Sequence, residues 1–303
     1  MSRMHVAVLM GGPSAEREVS KKTGAAAVQA LRNAGMHVSA VDVVDTNFHM
    51  PAGAEVAFLA LHGTFGEDGQ VQQLLEARGI PYTGSDAESS CRAFDKAVAK
   101  EAFAAAGVPT PRCVVVERDV RAMATMKPPV VVKPSCQGSS FGVTIVKDAA
   151  NLERAVEQAW RYGQKLLVEQ FVEGREFTVG ILDDRALPVV EIVTNREFFD
   201  FEAKYNGESE EIVPARIDEA TTARIQDVAL RAHRSLGCRD YSRVDVMLGA
   251  NGELFVLEVN TLPGLTEQSL LPKAANAAGI KMEGLCTRLV DMAAARRRVA
   301  KAA

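Results

Sequence analysis

A chain of 303 residues with 47% hydrophobic and 24% charged side chains has the composition of an ordinary globular protein of two or three domains. A net charge of −4 gives no basic footprint for nucleic acid, and no apolar run approaches the roughly 20 residues that span a bilayer. The five cysteines form no Cys-x-x-Cys pair, which favours reduced thiols in a cytoplasm and argues against a zinc site.

The first part of the chain predicts an open parallel sheet. It goes straight into a strand, His5–Met10, so no signal peptide is expected. A loop follows in which Ser14 is a plausible helix N-cap and Glu16 a first-turn acid, and a helix then runs to about Ala34. Because the loop lacks G-x-G-x-x-G, it does not predict a dinucleotide site. Glu16 is therefore either a capping residue of this helix or a functional residue of the loop.

Two further strands, His37–Val43 and Val56–Ala60, are expected in the same sheet. The second leads into a glycine-rich loop that carries His62. Ligands bind at the carboxyl ends of strands in open sheets, which makes His62 a candidate site residue. The alternative is a histidine that only satisfies its own turn.

The middle of the chain predicts a helix that runs through Asp95 and Lys96 to about Ala106, followed by strands near 112–116 and 130–133. Lys133 closes a buried Val-Val-Val run and precedes a glycine- and serine-rich loop, 134–142. The loop is not a Walker A motif, since G-K-[ST] is missing and a strand follows it. Its backbone N–H groups could still surround phosphates, with Lys133 directed at them. The alternative is a flexible hairpin tip.

The last part predicts alternating strands and helices. Segment 198–210 is polar and aromatic without a clean period, and it is long enough to be a lid over a site. The basic cluster from Arg296 to Lys301 is expected to be a solvated helix end. The remaining elements are a helix at 149–162, strands at 165–170, 177–182 and 187–193, and helices at 219–236, 270–278 and 281–300.

Tyr241–Gly264 predicts a β-hairpin, because two apolar runs flank the turn residues 249–252. With Leu248 opposite Glu253, Glu258 would fall opposite Arg243. A two-residue turn would keep this parity, and a three-residue turn would break it.

Alternation places Asp245 on the same face as Arg243, with Glu258 opposite and Asn260 just beyond. Carboxylate and amide oxygens at this spacing suit Mg²⁺, which takes one or two carboxylates and leaves other positions to water and phosphate. The alternative is a surface ion pair between Arg243 and Glu258, which would contribute little.

Short motifs follow one another along nearly the whole chain: Gly11–Ser20, Leu61–Gly63 with Gly66–Gly69, Pro81–Ser85, Asp95-Lys96, Val132–Pro134 with Gly138–Ser140, Glu176–Val179, Glu202–Tyr205, Arg243–Met247 and Leu257–Gly264. In this order they resemble the ATP-grasp fold and, within it, the D-alanine–D-alanine ligases. The resemblance implies an α/β protein, α+β in its nucleotide-binding part. An N-terminal open parallel sheet domain (1–93) would join central (94–170) and C-terminal (171–303) domains that sandwich ATP.

The resemblance also implies a reaction, the ATP-dependent joining of two D-alanines through an acyl phosphate, for peptidoglycan synthesis. It implies two Mg²⁺ ions (or Mn²⁺) and a homodimer formed by the N-terminal domain. Catalytic residues would be Glu16, Ser139, Tyr205, Arg243 and Gly264. Substrate-binding residues would be His62, Ser269 and Leu270. ATP would contact Lys96, Lys133, Ser140, Glu169, Gln170, Phe171, Val172, Glu176 and Lys204, and the metals would bind Asp245, Glu258 and Asn260.

Some of these assignments stay open at the sequence level. The motif does not decide between Ser139 and Ser140 as partner of Glu16, although Ser139 is favoured. Gln137 stands where relatives often carry glutamate, which puts an ion pair between loop and lid in doubt. Tyr205 goes with dipeptide formation in this family. The alternatives are a ligase for another amino acid and a non-catalytic nucleotide-binding or amino-acid-sensing protein.

Overall fold

The structure is a computed structural model that describes residues 4–117, 120–194 and 209–302. It begins with a parallel sheet in the order β2-β1-β3, formed by β1 (His5–Gly11), β2 (His37–Val43) and β3 (Val56–Leu59). Helix α1 (Arg17–Asn33) follows β1 and buries one apolar face against the sheet. The predicted open parallel sheet is confirmed.

The helix predicted through Asp95 is in fact two helices, which follow the short α2 (Gln70–Ala77). They are α3 (Ala87–Phe94) and α4 (Lys96–Ala105). Asp95 interrupts them because its backbone is extended and its carboxylate accepts the N–H groups of the first turn of α4. Burial alone would raise the pKa of Asp95, but hydrogen bonds from Ser135 and Lys165 hold it below its usual value.

An antiparallel sheet in the order β4-β7-β5-β6 forms the middle of the molecule. A helix, α5 (Leu152–Ala159), packs its buried face on this sheet and is shorter than predicted because its first turn is a 3₁₀ helix. The strands are β4 (Cys113–Val116), β5 (Val130–Pro134), β6 (Thr144–Val146) and β7 (Leu166–Gln170).

A second antiparallel sheet has the order β11-β10-β8-β12-β13, with β9 beside β8. Its strands are β8 (Gly174–Leu182), β9 (Arg185–Ala186), β10 (Val190–Thr194), β11 (Ser209–Ile212), β12 (Tyr241–Gly249) and β13 (Leu254–Asn260). The helices of this part are α6 (Glu219–Ser235), α7 (Leu270–Ala277) and α8 (Met282–Ala302). Among the described residues, none of the helices combines the length and the apolar character needed to cross a membrane.

The hydrophobic cores do not follow the chain order strictly. The core of the first sheet also contains Leu262, Leu271 and Leu289, so α7 and α8 pack with the N-terminal elements. Arg296, on α8, donates to the buried Asp240 at 2.5 Å and to the carbonyl oxygen of Tyr82 at 2.6 Å. The prediction of a solvated helix end is therefore wrong for Arg296. The division into 1–93, 94–170 and 171–303 stays a prediction.

His233, buried on α6, makes the stability of this fold depend on pH. Burial lowers its pKa from 6.5 to about 4, and its Nδ1 lies 2.7 Å from Ser242 Oγ. The unfolded chain binds a proton at this histidine below about pH 6.5, whereas the folded chain does so only near pH 4. The contribution of the neutral His233 to the free energy of unfolding is therefore complete above pH 6.5. About 3 kcal/mol of the free energy of unfolding is lost as the pH falls from 6.5 to the folded-state pKa near 4.

We expect the free energy of unfolding, measured in urea between pH 7 and pH 4, to fall less steeply for His233→Gln than for the wild type. His49→Gln is a suitable control, since that histidine lies in the loop after β2. If the free energy of unfolding falls equally steeply with pH in His233→Gln and in the wild type, His233 is not the source of the pH dependence.

Candidate active site

The hairpin β12–β13 carries the predicted metal ligands, but its register differs from the prediction. Leu248 pairs with Leu254, not with Glu253. The connection has three residues, 250–252: the N–H of Gly249 donates to the carbonyl oxygen of Glu253 at 2.8 Å, and Gly252 takes the left-handed φ of +81° that closes such a turn. A three-residue turn breaks the parity on which the prediction depended.

A β-bulge restores that parity. Val246 pairs with Val256 and Asp245 with Glu258, so Leu257 is the extra residue. Without the bulge, Asp245 would face Leu257. With it, the two carboxylates stand directly opposite each other, and Arg243 pairs with Asn260 and not with Glu258 as predicted.

Arg243 and Asp245 form a buried two-pronged ion pair. Arg243 Nε and Nη2 donate to the Asp245 carboxylate at 2.9 and 2.8 Å, and Thr178 Oγ1 adds a bond of 2.6 Å. Burial would lower the pKa of Arg243, but Asp245 and then Glu258 raise it above its ordinary value, so the guanidinium stays charged. The Arg243 side chain is only 13% exposed, which excludes the alternative of a surface ion pair with Glu258.

A cavity of about 550 Å³ lies in front of this hairpin. Its wall is formed by strands of the second antiparallel sheet, by the starts of α1, α4 and α7, and by the loops that follow β3, β5 and β13. The candidate residues on its wall are Glu16, His62, Lys96, Ser139, Arg243, Asp245, Glu258, Asn260, Gly264, Ser269 and Leu270.

Glu16 connects the N-terminal domain to the glycine- and serine-rich loop. Ser139 Oγ donates to Glu16 Oε1, and a Cβ atom at Gly63 or Gly138 would lie within 2.8 Å of Glu16 Oε2. A side chain at either glycine would displace the Glu16 carboxylate from this position, so the two glycines allow both loops to approach it. Glu16 occupies the N-cap position of α1 but makes no side-chain capping bond there. Ser14, the predicted N-cap, instead bonds His62 O and Glu16 N.

His62 lies at the end of β3, as predicted. Its Nε2 is 2.9 Å from Thr23 Oγ1, and its Nδ1 is 3.6 Å from Glu67 Oε1. The ring is buried and hydrogen-bonded through Nε2, and it is part of the cavity wall. The histidine thus has a partner within the fold and also faces the candidate site.

Ser269 begins helix α7 on the far wall of the same cavity. Its hydroxyl accepts the N–H of Thr266 at 3.1 Å and lies 2.9 Å from Thr266 Oγ1. A Cβ at Gly264 would come within 2.8 Å of Ser269 Oγ, so only glycine leaves this approach open. The N-terminus of α7 and the Ser269 hydroxyl therefore place hydrogen-bonding groups on the cavity wall, at the positive end of a helix.

A second cavity, of about 500 Å³, adjoins the first. Its candidate residues are Lys96, Lys133, Ser140, Glu169, Gln170, Phe171, Val172, Glu176, Asp245 and Glu258. Lys96, Asp245 and Glu258 line both cavities, and Lys96 Nζ lies 3.2 Å from Glu258 Oε2. The two cavities therefore meet at one cation and two carboxylates.

Lys133 contacts Glu169, and a second lysine, Lys100, contacts the other oxygen of that carboxylate. Burial would raise the pKa of Glu169, but Lys133 and Lys100 lower it, so the group is ionised. Sequence reasoning missed Lys100. Its only signal is a lysine on the face of α4 that otherwise carries Ala97 and Phe103.

The loop over the second cavity is tightly bent. Ser139 and Ser140 both have left-handed backbones, with φ of 50° and 60°. Gln137 Nε2 donates to the carbonyl oxygen of Tyr162 at 2.9 Å, a bond that glutamate could not donate. Lys204 and Tyr205 lie outside the described residues, as does most of the predicted lid at 198–210.

Three features set the class of protein: a parallel sheet, two antiparallel sheets, and adjoining cavities that meet at acidic oxygens. They define an ATP-grasp ligase, as predicted. Family models for the N-terminus and the C-terminus of D-ala D-ala ligase match residues 44–85 and 103–291. The chain belongs to the D-alanine–D-alanine ligase family.

Individual relatives agree with this assignment. The D-alanine–D-alanine ligase of Methylacidiphilum infernorum (isolate V4) is 47% identical over 289 residues, which cover 95% of each chain. The solved structure of D-alanine–D-alanine ligase from Bacillus anthracis complexed with ATP has a TM-score of 0.85 and 32% identity, and covers 98% of this chain and 99% of that one. The ligase from Coxiella burnetii has a TM-score of 0.88 at 26% identity, with coverage of 99% and 97%.

Proposed function

We propose that this chain joins two D-alanines to D-alanyl-D-alanine at the expense of ATP, for peptidoglycan precursor synthesis. The observation that carries the proposal is the meeting of two adjoining cavities, of about 550 and 500 Å³, at Lys96, Asp245 and Glu258. The γ-phosphate of ATP from one side and a carboxylate from the other would come together there. Transfer gives an acyl phosphate, which the amine of the second D-alanine attacks, and phosphate leaves.

The first cavity supplies complementary groups for both amino acids. Glu16, with His62 nearby, would receive the ammonium of the first D-alanine. Ser269 Oγ and the N–H of Leu270 would hold the carboxylate of the second, at the positive end of α7. Arg243 and the N–H of Gly264 would stabilise the oxyanion that forms when the amine attacks. Ser139 and Tyr205 would close the site over Glu16.

The second cavity would hold ATP. Lys96, Lys133 and Lys204 would contact its phosphates, together with Ser140, and Glu176 its ribose. Glu169, Gln170, Phe171 and Val172 would surround the adenine.

Asp245, Glu258 and Asn260 fit a site for two Mg²⁺ ions (or Mn²⁺), because the two carboxylates line both cavities and Asn260, on the wall of the first, is the strand partner of Arg243. Bound Mg²⁺ would supply neutralisation of the phosphate charge. The protein's own contribution is to hold Asp245 in place through Arg243 and Thr178.

Mass spectrometry of the product after incubation with D-alanine, ATP and Mg²⁺ tests the proposal. We expect D-alanyl-D-alanine and equal amounts of ADP and phosphate, with no product from L-alanine. Phosphate release with a different amino acid but not with D-alanine would favour another ligase of the same class. Nucleotide binding without any ligation would favour a sensing protein on the same scaffold.

Glu16→Gln tests the site of the first D-alanine. We expect the KM for D-alanine to rise by about 10-fold or more, because a charge-assisted hydrogen bond to the ammonium is lost, while ATP binding stays unchanged. Steady-state kinetics with each substrate varied in turn would measure this. Glu18→Gln is the matched control, since Glu18 is exposed and forms a surface ion pair with Lys21 on the same helix. A rise in the KM for ATP alone would contradict the role.

We also propose a cytoplasmic location and a homodimer. All five cysteines are free thiols in the structure, which supports a reducing compartment. The dimer rests on the family resemblance, and light scattering of the purified protein would test it. A monomer at all concentrations would contradict it.

A further inference from the structure

Three buried charges lie beneath the second cavity. Lys100, Lys133 and Glu169 are 5%, 8% and 2% exposed. Lys133 Nζ lies 3.0 Å from Glu169 Oε1, and Lys100 Nζ lies 2.6 Å from Glu169 Oε2. One carboxylate therefore serves two ammonium groups, and the trio carries a net charge of +1.

Lys100 contacts Glu169 from the side that faces away from the second cavity. Lys133 and Glu169 line the second cavity, whereas Lys100 does not. Its ammonium also donates to Thr110 Oγ1 at 2.6 Å and to the carbonyl oxygen of Pro111 at 3.1 Å, so it has two hydrogen bonds besides its ion pair with Glu169. Lys100 is thus fixed in place and cannot reach a molecule in the cavity.

The charge balance explains why two lysines are needed. A lysine paired with one carboxylate at 3.0 Å attracts a phosphate a few ångströms away less strongly than a lone lysine does, because the field of the carboxylate opposes that of the ammonium. Both fields are strong here because the groups are buried and little screened. A second cation behind the carboxylate offsets its charge, and Lys133 then presents an excess of positive charge to the cavity.

We propose that Lys100 is a positioning residue for nucleotide binding: it holds and neutralises Glu169 so that Lys133 remains a net cation toward the phosphates of ATP. The proposal rests on the proposed function, in which ATP occupies the second cavity. The same contacts could instead serve only to hold α4 against strand β7 and the segment at Thr110, which itself donates to the carbonyl oxygen of Val256.

A double-mutant cycle separates the two roles. Lys100→Met is expected to weaken ATP binding by about 10-fold or more, the scale on which outer supporting residues act. In the Glu169→Gln background the carboxylate charge is already gone, so Lys100→Met should then have little further effect on ATP affinity. A purely structural Lys100 would cause the same loss in both backgrounds, and that result would overturn the proposal.

The readout is calorimetric titration of ATP with Mg²⁺, without D-alanine, for the wild type, both single variants and the double variant. Lys21→Met is the charge-matched control, because Lys21 lies on the exposed face of α1. If Lys100→Met does not fold, comparison of Glu169→Gln with the double variant still decides: a large loss of affinity overturns the proposal. Wild-type protein that binds no ATP would contradict the proposed function itself, whereas wild-type binding with an unchanged Lys100→Met contradicts only this inference.

Discussion

Arg243→Ala is expected to lower turnover by about 10²-fold or more, the usual scale for removal of an oxyanion donor. The guanidinium is buried, charged and directed into the first cavity, where the tetrahedral intermediate would carry its negative charge. Because that charge develops only in the transition state, kcat and kcat/KM should fall together. Steady-state kinetics with D-alanine and ATP would measure both.

The structure adds a second consequence to this substitution. Arg243 also holds the Asp245 carboxylate through two hydrogen bonds, so its loss frees a proposed metal ligand. Measurement of the Mg²⁺ dependence separates the two effects: an oxyanion role predicts low turnover even at saturating Mg²⁺. Arg231→Ala is the control, since Arg231 forms an exposed pair with Asp227 on α6. Near-normal turnover of Arg243→Ala would contradict its role.

The local sequence pattern was sufficient to predict those helices and strands in which one apolar face or one hydrophobic period dominates. The first sheet and α1 follow from apolar strands and a helical period, and the structure confirms them within a residue or two. The break at Asp95 was not predictable from periodicity. It involves Ser135 and Lys165, which lie far along the chain, directly after β5 and directly before β7. Strand β11 was missed because its residues, Ser-Glu-Glu-Ile, lack an apolar alternation.

The candidate site was likewise predicted in part from local pattern, and its other features depend on residues distant in the sequence. Alternation placed Asp245 and Glu258 on one face, and they are on one face, but for a different reason. A three-residue turn and a bulge at Leu257 each shift the register by one in the same direction, and the total shift of two restores the predicted face but not the predicted partners. Lys100 was missed because its importance comes from burial and from Glu169, which lies 69 positions further on in the numbering of the sequence.

Glu258→Gln is expected to raise the Mg²⁺ concentration for half-maximal activity by at least the 10- to 100-fold that loss of an outer supporting residue causes at metal sites. The substitution keeps the shape of the side chain and removes one of the two carboxylates at the meeting point of the cavities. Glu258 is a cleaner test than Asp245, because Asp245 also holds Arg243. Calorimetric titration of ATP with and without Mg²⁺ gives a readout that does not depend on turnover.

The control for Glu258→Gln is Glu253→Gln, at the start of the same strand. Glu253 pairs with Asn251 at the exposed turn and lies outside both active-site cavities. An unchanged Mg²⁺ requirement in Glu258→Gln would contradict the metal role, and the carboxylate would then act through its ion pairs with Lys96 and Arg243. In that case Lys96→Met should cost less in the Glu258→Gln background than in the wild type, because the ion pair is already broken there. A metal role predicts instead that the double variant is worse than either single one, because the phosphates then lose two sources of positive charge.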